Sequence, residues 1–225
     1  MEDWGSYLWY EANFWLCMAG MTLGFSLRTE GQRHVPREGP VLLLSNHQSF
    51  VDPVIVGLAA RRHLYFLARQ SLFRKRLLRR LIESLHAVPI HHEGFARAGL
   101  QTMLEQLQAG RAVLIFPEGE RTHDGKLHAL RPGIHLLIKR MAMPIVPVGI
   151  AGAYDAWPRW RAYPVPAPLF GPPGKGTIAC SIGLPIDSRC FAGRPRQQVL
   201  GELFTALERC WERAEQIRRK LCALD

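Results

Sequence analysis

His47 and Asp52 are separated by four residues and follow an apolar run at residues 41–44. An imidazole titrates near neutral pH and can take the proton of a hydroxyl. A carboxylate beside it can fix its tautomer and stabilise its protonated form. Residues five positions apart would lie about 140° apart on a straight helix, so this pair must meet across a turn. Ser49 can cap the helix that follows, and Pro53 suits its first turn, where a missing N–H costs nothing. Asp52 then falls in or just before that turn, where the positive helix end favours an ionised carboxylate. A second polar group, Phe116-Pro117-Glu118-Gly119-Glu120-Arg121-Thr122, leaves another apolar run at residues 112–115. Gly119 allows close backbone approach, and Arg121 offers a planar fork suited to phosphate. Taken singly, the first spacing is more often a hydrogen-bonded turn histidine, and the second a strand-end turn with a surface Glu–Arg pair. Two such motifs at the ends of two buried strands are the pattern of an α/β site.

The elements that must hold these motifs can be read from periodicity and punctuation. Strands are expected at residues 41–45, 64–68, 88–90, 112–116, 145–150 and 178–182. Helices are expected at residues 53–60, 71–85, 94–108, 132–141 and 196–221, with Gly110 stopping the third. The helix at 71–85 carries Phe73, Leu77, Leu81 and Leu85 as one stripe. The 112–116 run is apolar throughout, as in a sheet covered on both faces. Apolar strands alternating with helices predict a mixed α/β sandwich with a central sheet, and residues 31–225 form one domain of it. Residues 29–40 read as a polar link. Residues 156–176 hold six prolines, which exclude regular structure there. Within them Trp157, Trp160 and Tyr163 alternate with Arg159 and Arg161. Such a segment suits a bilayer interface, a substrate entrance, or a surface loop with self-packed aromatics.

Charge narrows the partners. The chain has 225 residues and a formal net charge of +10, which favours anionic lipid headgroups, nucleic acid or polyphosphate ligands such as coenzyme A. Eight lysines and arginines fall between Arg61 and Arg80, enough for a surface facing anionic lipid or for a solvated helix face. No reading motif for nucleic acid accompanies them, so a nucleic-acid partner is not expected. Five scattered cysteines without a Cys-x-x-Cys pair suit a reducing compartment and no zinc site. Residues 14–27 are free of charge, shorter than the roughly 20 apolar residues a spanning helix needs. With aromatics at Trp4, Tyr7, Trp9 and Tyr10, residues 1–30 are expected to form a helix in the membrane interface, a spanning anchor, or a helix packed on the protein's own core. If it spans, the acids before it and Arg28, Arg33 and Arg37 after it leave the larger domain on the cytoplasmic face.

The order of the motifs adds a resemblance. His-x4-Asp, then Ala87-Val88-Pro89-Ile90, then Phe116-Pro117-Glu118-Gly119, then Pro144-Ile145-Val146-Pro147-Val148 resembles the four sequence blocks of the glycerolipid acyltransferases, the lysophosphatidate acyltransferase family. Gly125-Lys126-Leu127 and Arg131-Pro132-Gly133 are similar to the spacing that follows the third block. The resemblance covers residues 27–186. It implies acyl transfer from acyl-CoA or acyl carrier protein to the free hydroxyl of a lysophospholipid, 1-acylglycerol 3-phosphate above all, with neither metal nor cofactor. It implies His47 as general base and Asp52 as its partner, with Glu118, Gly119 and Arg121 around the acceptor's phosphate. The acceptor's own hydroxyl would attack the thioester, so no serine or cysteine nucleophile is required. One departure stands at His92, where the family has an arginine on that phosphate. Histidine is a weaker phosphate donor, and Arg97 or Arg131 could compensate. Alternative expectations are another acceptor, such as a lyso-ornithine lipid, or an inactive membrane- or nucleic-acid-binding protein on the same scaffold.

Overall fold

The structure is a computed structural model, which describes residues 4–69, 79, 87–90 and 95–219. The chain opens with helix α1 (Trp4–Phe25) and strand β1 (Arg28–Glu30). Strand β2 (Val41–Ser45), helix α2 (Asp52–Ala60) and strand β3 (Leu64–Arg69) follow. Then come β4 (Ala87–Ile90), α3 (Phe95–Gln108), β5 (Ala112–Ile115), α4 (Gly133–Arg140) and β6 (Pro144–Ala151). The chain ends in the short α5 (Ala153–Ala156), β7 (Ala179–Ile182), β8 (Ile186–Asp187) and the long α6 (Arg196–Ile217). Apart from Arg79, which is helical, the expected helix at residues 71–85 lies outside the described residues.

The strands form one mixed sheet in the order β1-β7-β6-β2-β5-β3-β4, with β8 also pairing with β6. Five strands, β6, β2, β5, β3 and β4, are mutually parallel, whereas β7 runs antiparallel to β6 and carries β1 parallel to itself. All five residues of β2 are buried, and they face the two layers alternately. Val41 and Leu43 join the core beneath α1 and α2, and Leu42 and Leu44 join the core of α3, α4 and α6. Gly149 lets α6 lie directly on β6: a Cβ there would fall 2.1 Å from the backbone of Cys210 and Trp211.

This topology positions the motifs. From the neighbouring strands β2 and β5 the chain leaves to opposite layers, to α2 on one face and to α4 on the other. The two loops therefore start side by side at the carboxyl ends of neighbouring strands, the place where open α/β sheets hold their ligands.

Three expectations are corrected. The link after Arg28 is not wholly irregular, because its first residues pair with β7 as an edge strand. The last helix stops at Ile217 rather than near residue 221, since Arg218 turns out of helical geometry. Ser49 does not cap α2; Asp52 is its first residue and Val51 precedes it without a side-chain cap. Among the described residues no helix is long and apolar enough to cross a membrane. Helix α1 is apolar nearly all round. It packs Phe14, Cys17, Met18, Met21 and Phe25 on the core and turns Trp15, Leu16 and Leu23 outward.

Candidate active site

The turn between β2 and α2 folds back on itself around one carboxylate oxygen. Oδ2 of Asp52 accepts the backbone N–H of Gln48 at 2.6 Å and of Ser49 at 2.7 Å. The same atom lies 2.7 Å from Nδ1 of His47. An oxygen already accepting two amides is the acceptor here too, so Nδ1 carries the proton and Nε2 is left as the basic nitrogen. Nothing among the described residues bonds that Nε2. Asp52 is fully buried, and its Oδ1 has no partner among the described residues. The helix end beneath it, with Pro53 in the first turn, favours negative charge at this position.

Every polar neighbour in the turn is tied down. The Asn46 side chain extends the β2–β6 ladder by one rung: Nδ2 donates to the Ile150 carbonyl at 2.9 Å, and Oδ1 accepts the Ile150 amide at 2.7 Å. Gln48 donates to the Gly125 carbonyl and accepts the Tyr154 amide. Instead of capping the helix, the Ser49 hydroxyl donates to the Trp157 carbonyl at 2.7 Å. The imidazole of His47 is stacked on Phe116, centroids 3.9 Å apart and rings 16° from parallel. Its side chain keeps 19% exposure, enough for solvent or a substrate hydroxyl to reach it.

The second motif clasps the first. Glu118 is buried and its Oε1 accepts the backbone N–H of His47 at 2.8 Å, while its Oε2 accepts that of His128 at 3.0 Å. The Thr122 amide donates to the His47 carbonyl at 2.8 Å. Burial raises the Glu118 carboxyl to about 7, against the two amide bonds that favour its ionised form. So the carboxylate expected beside a phosphate is engaged by two backbone amides inside the loop pair.

The cations sit further out. Arg131 is exposed; its Nε donates to the Glu118 carbonyl at 3.0 Å, and it pairs loosely with Glu120 at 3.5 Å. Gly119 lies beneath that arginine with φ of 81°, and a Cβ there would come within 2.9 Å of Arg131 Nε. Its glycine is thus favoured by backbone conformation, and a side chain there would also displace Arg131. Arg121 is half-buried on the same loop. His128 and Thr122 share Asp124, whose carboxyl is held far below its ordinary range chiefly by the Lys126 amide, then by these two. His92 lies outside the described residues, as does the side chain of Arg97. Sequence reasoning passed over Asn46, Gln48, Tyr154 and His128. Asn46 and Gln48 flank the histidine and could have been suspected, whereas Tyr154 and His128 come from segments with no motif of their own.

A family model described as Acyltransferase matches residues 26–151. The 1-acyl-sn-glycerol-3-phosphate acyltransferase of Limnanthes douglasii is 28% identical over 149 residues, 64% of this chain and 52% of that one. The lyso-ornithine lipid O-acyltransferase of Pseudomonas aeruginosa is 30% identical over 150 residues, 66% of this chain and 56% of that one. The chain thus spans about half the length of these relatives. The crystal structure of the 1-acyl-sn-glycerophosphate (LPA) acyltransferase PlsC from Thermotoga maritima shares the fold, with a TM-score of 0.78 at 22% identity over 96% of this chain and 84% of that one. Both clasped loops fall inside the matched residues, and the chain belongs to the acyltransferase family that this model describes.

Proposed function

We propose that this protein transfers a fatty acyl group from a thioester donor, acyl-CoA or acyl carrier protein, to the free hydroxyl of a lysophospholipid, with 1-acylglycerol 3-phosphate as the leading acceptor. The observation that carries this reading is the Nδ1–Oδ2 bond of 2.7 Å between His47 and the buried Asp52, which leaves Nε2 free as a base. Nε2 takes the acceptor's hydroxyl proton as its oxygen attacks the thioester carbonyl. The C–S bond then breaks, the imidazolium returns the proton to the departing thiolate, and the products are ester and thiol. Asp52 stabilises the imidazolium in between, the part a carboxylate plays in hydrolase triads. Arg121 and Arg131, with Gly119 opening the backbone between them, hold the acceptor's phosphate, and His92 adds a donor. Glu118 positions His47 through its backbone. The work is done at an anionic membrane surface, with α1 as an interface helix.

A second acceptor has specific support. A histidine at position 92 in place of arginine weakens the case for a phosphomonoester, and a lyso-ornithine lipid enzyme is among the relatives. The test is purified full-length protein given a panel of acyl-CoAs, acyl carrier proteins and lysolipids, with products identified by mass spectrometry. Formation of phosphatidate that is lost in His47→Ala is the expected result. Acylation of another lysolipid alone moves the acceptor, and no thioester-dependent product with any acceptor removes the activity.

A further inference from the structure

Residues 157–170 run from the catalytic turn to the end of α1 without regular structure, yet they are braced throughout. At one end the Ser49 hydroxyl bonds the Trp157 carbonyl, and Phe50 packs edge-on against the Trp157 ring at 4.2 Å. At the other end the Ala167 and Leu169 amides donate to the carbonyls of Gly24 and Leu23, and the Ser26 hydroxyl donates to the Ala167 carbonyl. From the inner side Arg219 donates to the carbonyls of Pro168, Leu169 and Gly171. Just beyond, Arg218 donates to that of Thr177 and pairs with Asp155. A braced segment would be expected to turn its large apolar side chains inward. This one instead leaves Trp160 61%, Tyr163 81% and Phe170 90% exposed.

We propose that this strap, with Phe50 and the outward stripe of α1, is one rigid bilayer-docking surface that seats the catalytic turn at the headgroup level of an anionic membrane. The inference rests on the reading that the acceptor is a membrane lipid. Four features identify the occupant. The large apolar side chains that the strap exposes are all aromatic, and tryptophan and tyrosine partition to the membrane–water interface. Prolines at 158, 164, 166 and 168 leave backbone carbonyls outside any ladder. Such backbone is excluded from hydrocarbon but tolerated among hydrated headgroups, which sets the depth. Exposed Arg161 lies between the aromatics, as befits anionic lipid, beside Arg159, which turns to His123 and Glu120, and the net charge of +10 acts in the same direction. The two backbone bonds from the strap to Leu23 and Gly24 make it continuous with α1, whose Trp15, Leu16 and Leu23 face outward. Strap and helix therefore engage the bilayer as one body, with His47 three residues from Phe50 at its rim.

The test is full-length Tyr163→Ser/Phe170→Ser, compared with the parent by sedimentation with phosphatidylcholine vesicles, with and without phosphatidylglycerol. Turnover is followed with a vesicle-borne acceptor and with a short-chain acceptor dissolved below its micelle concentration. The double substitution should lower partitioning onto vesicles by about tenfold or more, since two apolar rings no longer leave water. Turnover of the vesicle-borne acceptor should fall in step, while turnover of the dissolved one stays within about twofold, the usual scale of surface substitutions. Unchanged partitioning overturns the proposal. So does an equal loss with both acceptors, which would make the strap part of the active-site wall. A defect confined to acyl carrier protein donors, with partitioning intact, would make the strap a protein-docking surface instead. A parent protein that acylates neither acceptor removes the activity reading, and partitioning alone then decides the docking surface.

Discussion

The two loops that leave neighbouring strands β2 and β5 are built on opposite plans. In the first, Asn46, Gln48, Ser49 and Asp52 are at most 3% exposed, and apart from Asp52 Oδ1 their side-chain oxygens and nitrogens are bonded by backbone or by His47. In the second, Glu118 alone is buried among the charged residues; Glu120, His123, Asp124, Lys126, His128 and Arg131 face solvent, Glu120 in loose pairs with His123 and Arg131, Asp124 bonded more closely within its own turn. On the proposed mechanism the first loop carries the proton transfer, a step sensitive to small misplacement of the basic nitrogen, and this loop is the one held from all sides. Binding a charged headgroup works through longer-ranged forces and tolerates mobile, screened side chains. Glu118 is the one charged residue of the second loop built to the plan of the first, and its side chain, together with the amide of the buried Thr122, links the two loops.

Removing the proposed base should give the largest effect. His47→Ala is expected to cut kcat by about a thousandfold or more while thermal unfolding and vesicle binding stay unchanged. Near-normal turnover in that variant would break the contrast at its root. Asp52→Asn follows closely. An amide in place of the carboxylate must turn either its NH2 or its lone oxygen toward three donors, so the tautomer of His47 is no longer imposed. The kcat should fall by about a thousandfold or more, with a stability loss of about 1–3 kcal/mol from buried donors left unpaired. Denaturant unfolding and steady-state kinetics on the same preparation separate the two losses.

How much of this could be read beforehand follows the same division. Strands β2 and β5 and the start of α2 were legible because their signals are local: continuous apolar runs, a proline, a helix end. The His47–Asp52 contact was foreseeable as a contact across a turn, but the turn's construction was not, because Ser49 finds its partner at Trp157, over a hundred residues away. The edge strand β1 was read as a link, since three residues in a polar sequence show no period and become a strand only by pairing with β7. Helix α1 left three readings open because it is apolar nearly all round, and periodicity cannot say which stripe of such a helix meets the core. The inward placement of Glu118 was likewise invisible, for a Pro-Glu-Gly turn gives no sign of whether its carboxylate faces a ligand or two buried amides.

The link can be tested by itself. Glu118→Gln should lower kcat by about tenfold, through a displaced His47 backbone, with little change in KM for the acceptor. A dominant rise in that KM would return Glu118 to the phosphate site. The same variant should alter the pH dependence of stability. Burial raises the Glu118 carboxyl from 4.5 to about 7, so the folded state holds this proton more tightly than the unfolded chain. Its stabilising share is complete below pH 4.5 and is lost as pH rises through about 7, a fall of about 3 kcal/mol at most. Denaturation midpoints between pH 4 and 8 should decline less steeply in Glu118→Gln than in the parent.

The smallest effects belong to the exposed cations. Arg131 is 64% exposed at its side chain and pairs with Glu120 only at 3.5 Å, so the pair itself contributes little to stability. What lysine cannot replace is the planar fork, with Nε–H on the Glu118 carbonyl and the two terminal nitrogens, one of them only loosely paired with Glu120, facing outward toward an anion. Arg131→Lys and Arg121→Lys should each raise KM for a phosphate-bearing acceptor by about three- to tenfold, leave kcat nearly unchanged, and affect KM for the acyl donor less. High salt should shrink the difference from the parent, because an exposed charge is screened whichever residue carries it. Should either substitution depress kcat at saturating acceptor as severely as Glu118→Gln does, the second loop would also be fixing the geometry of the reaction. The division between a loop held rigid for proton transfer and a loop left open for headgroup binding would then fail.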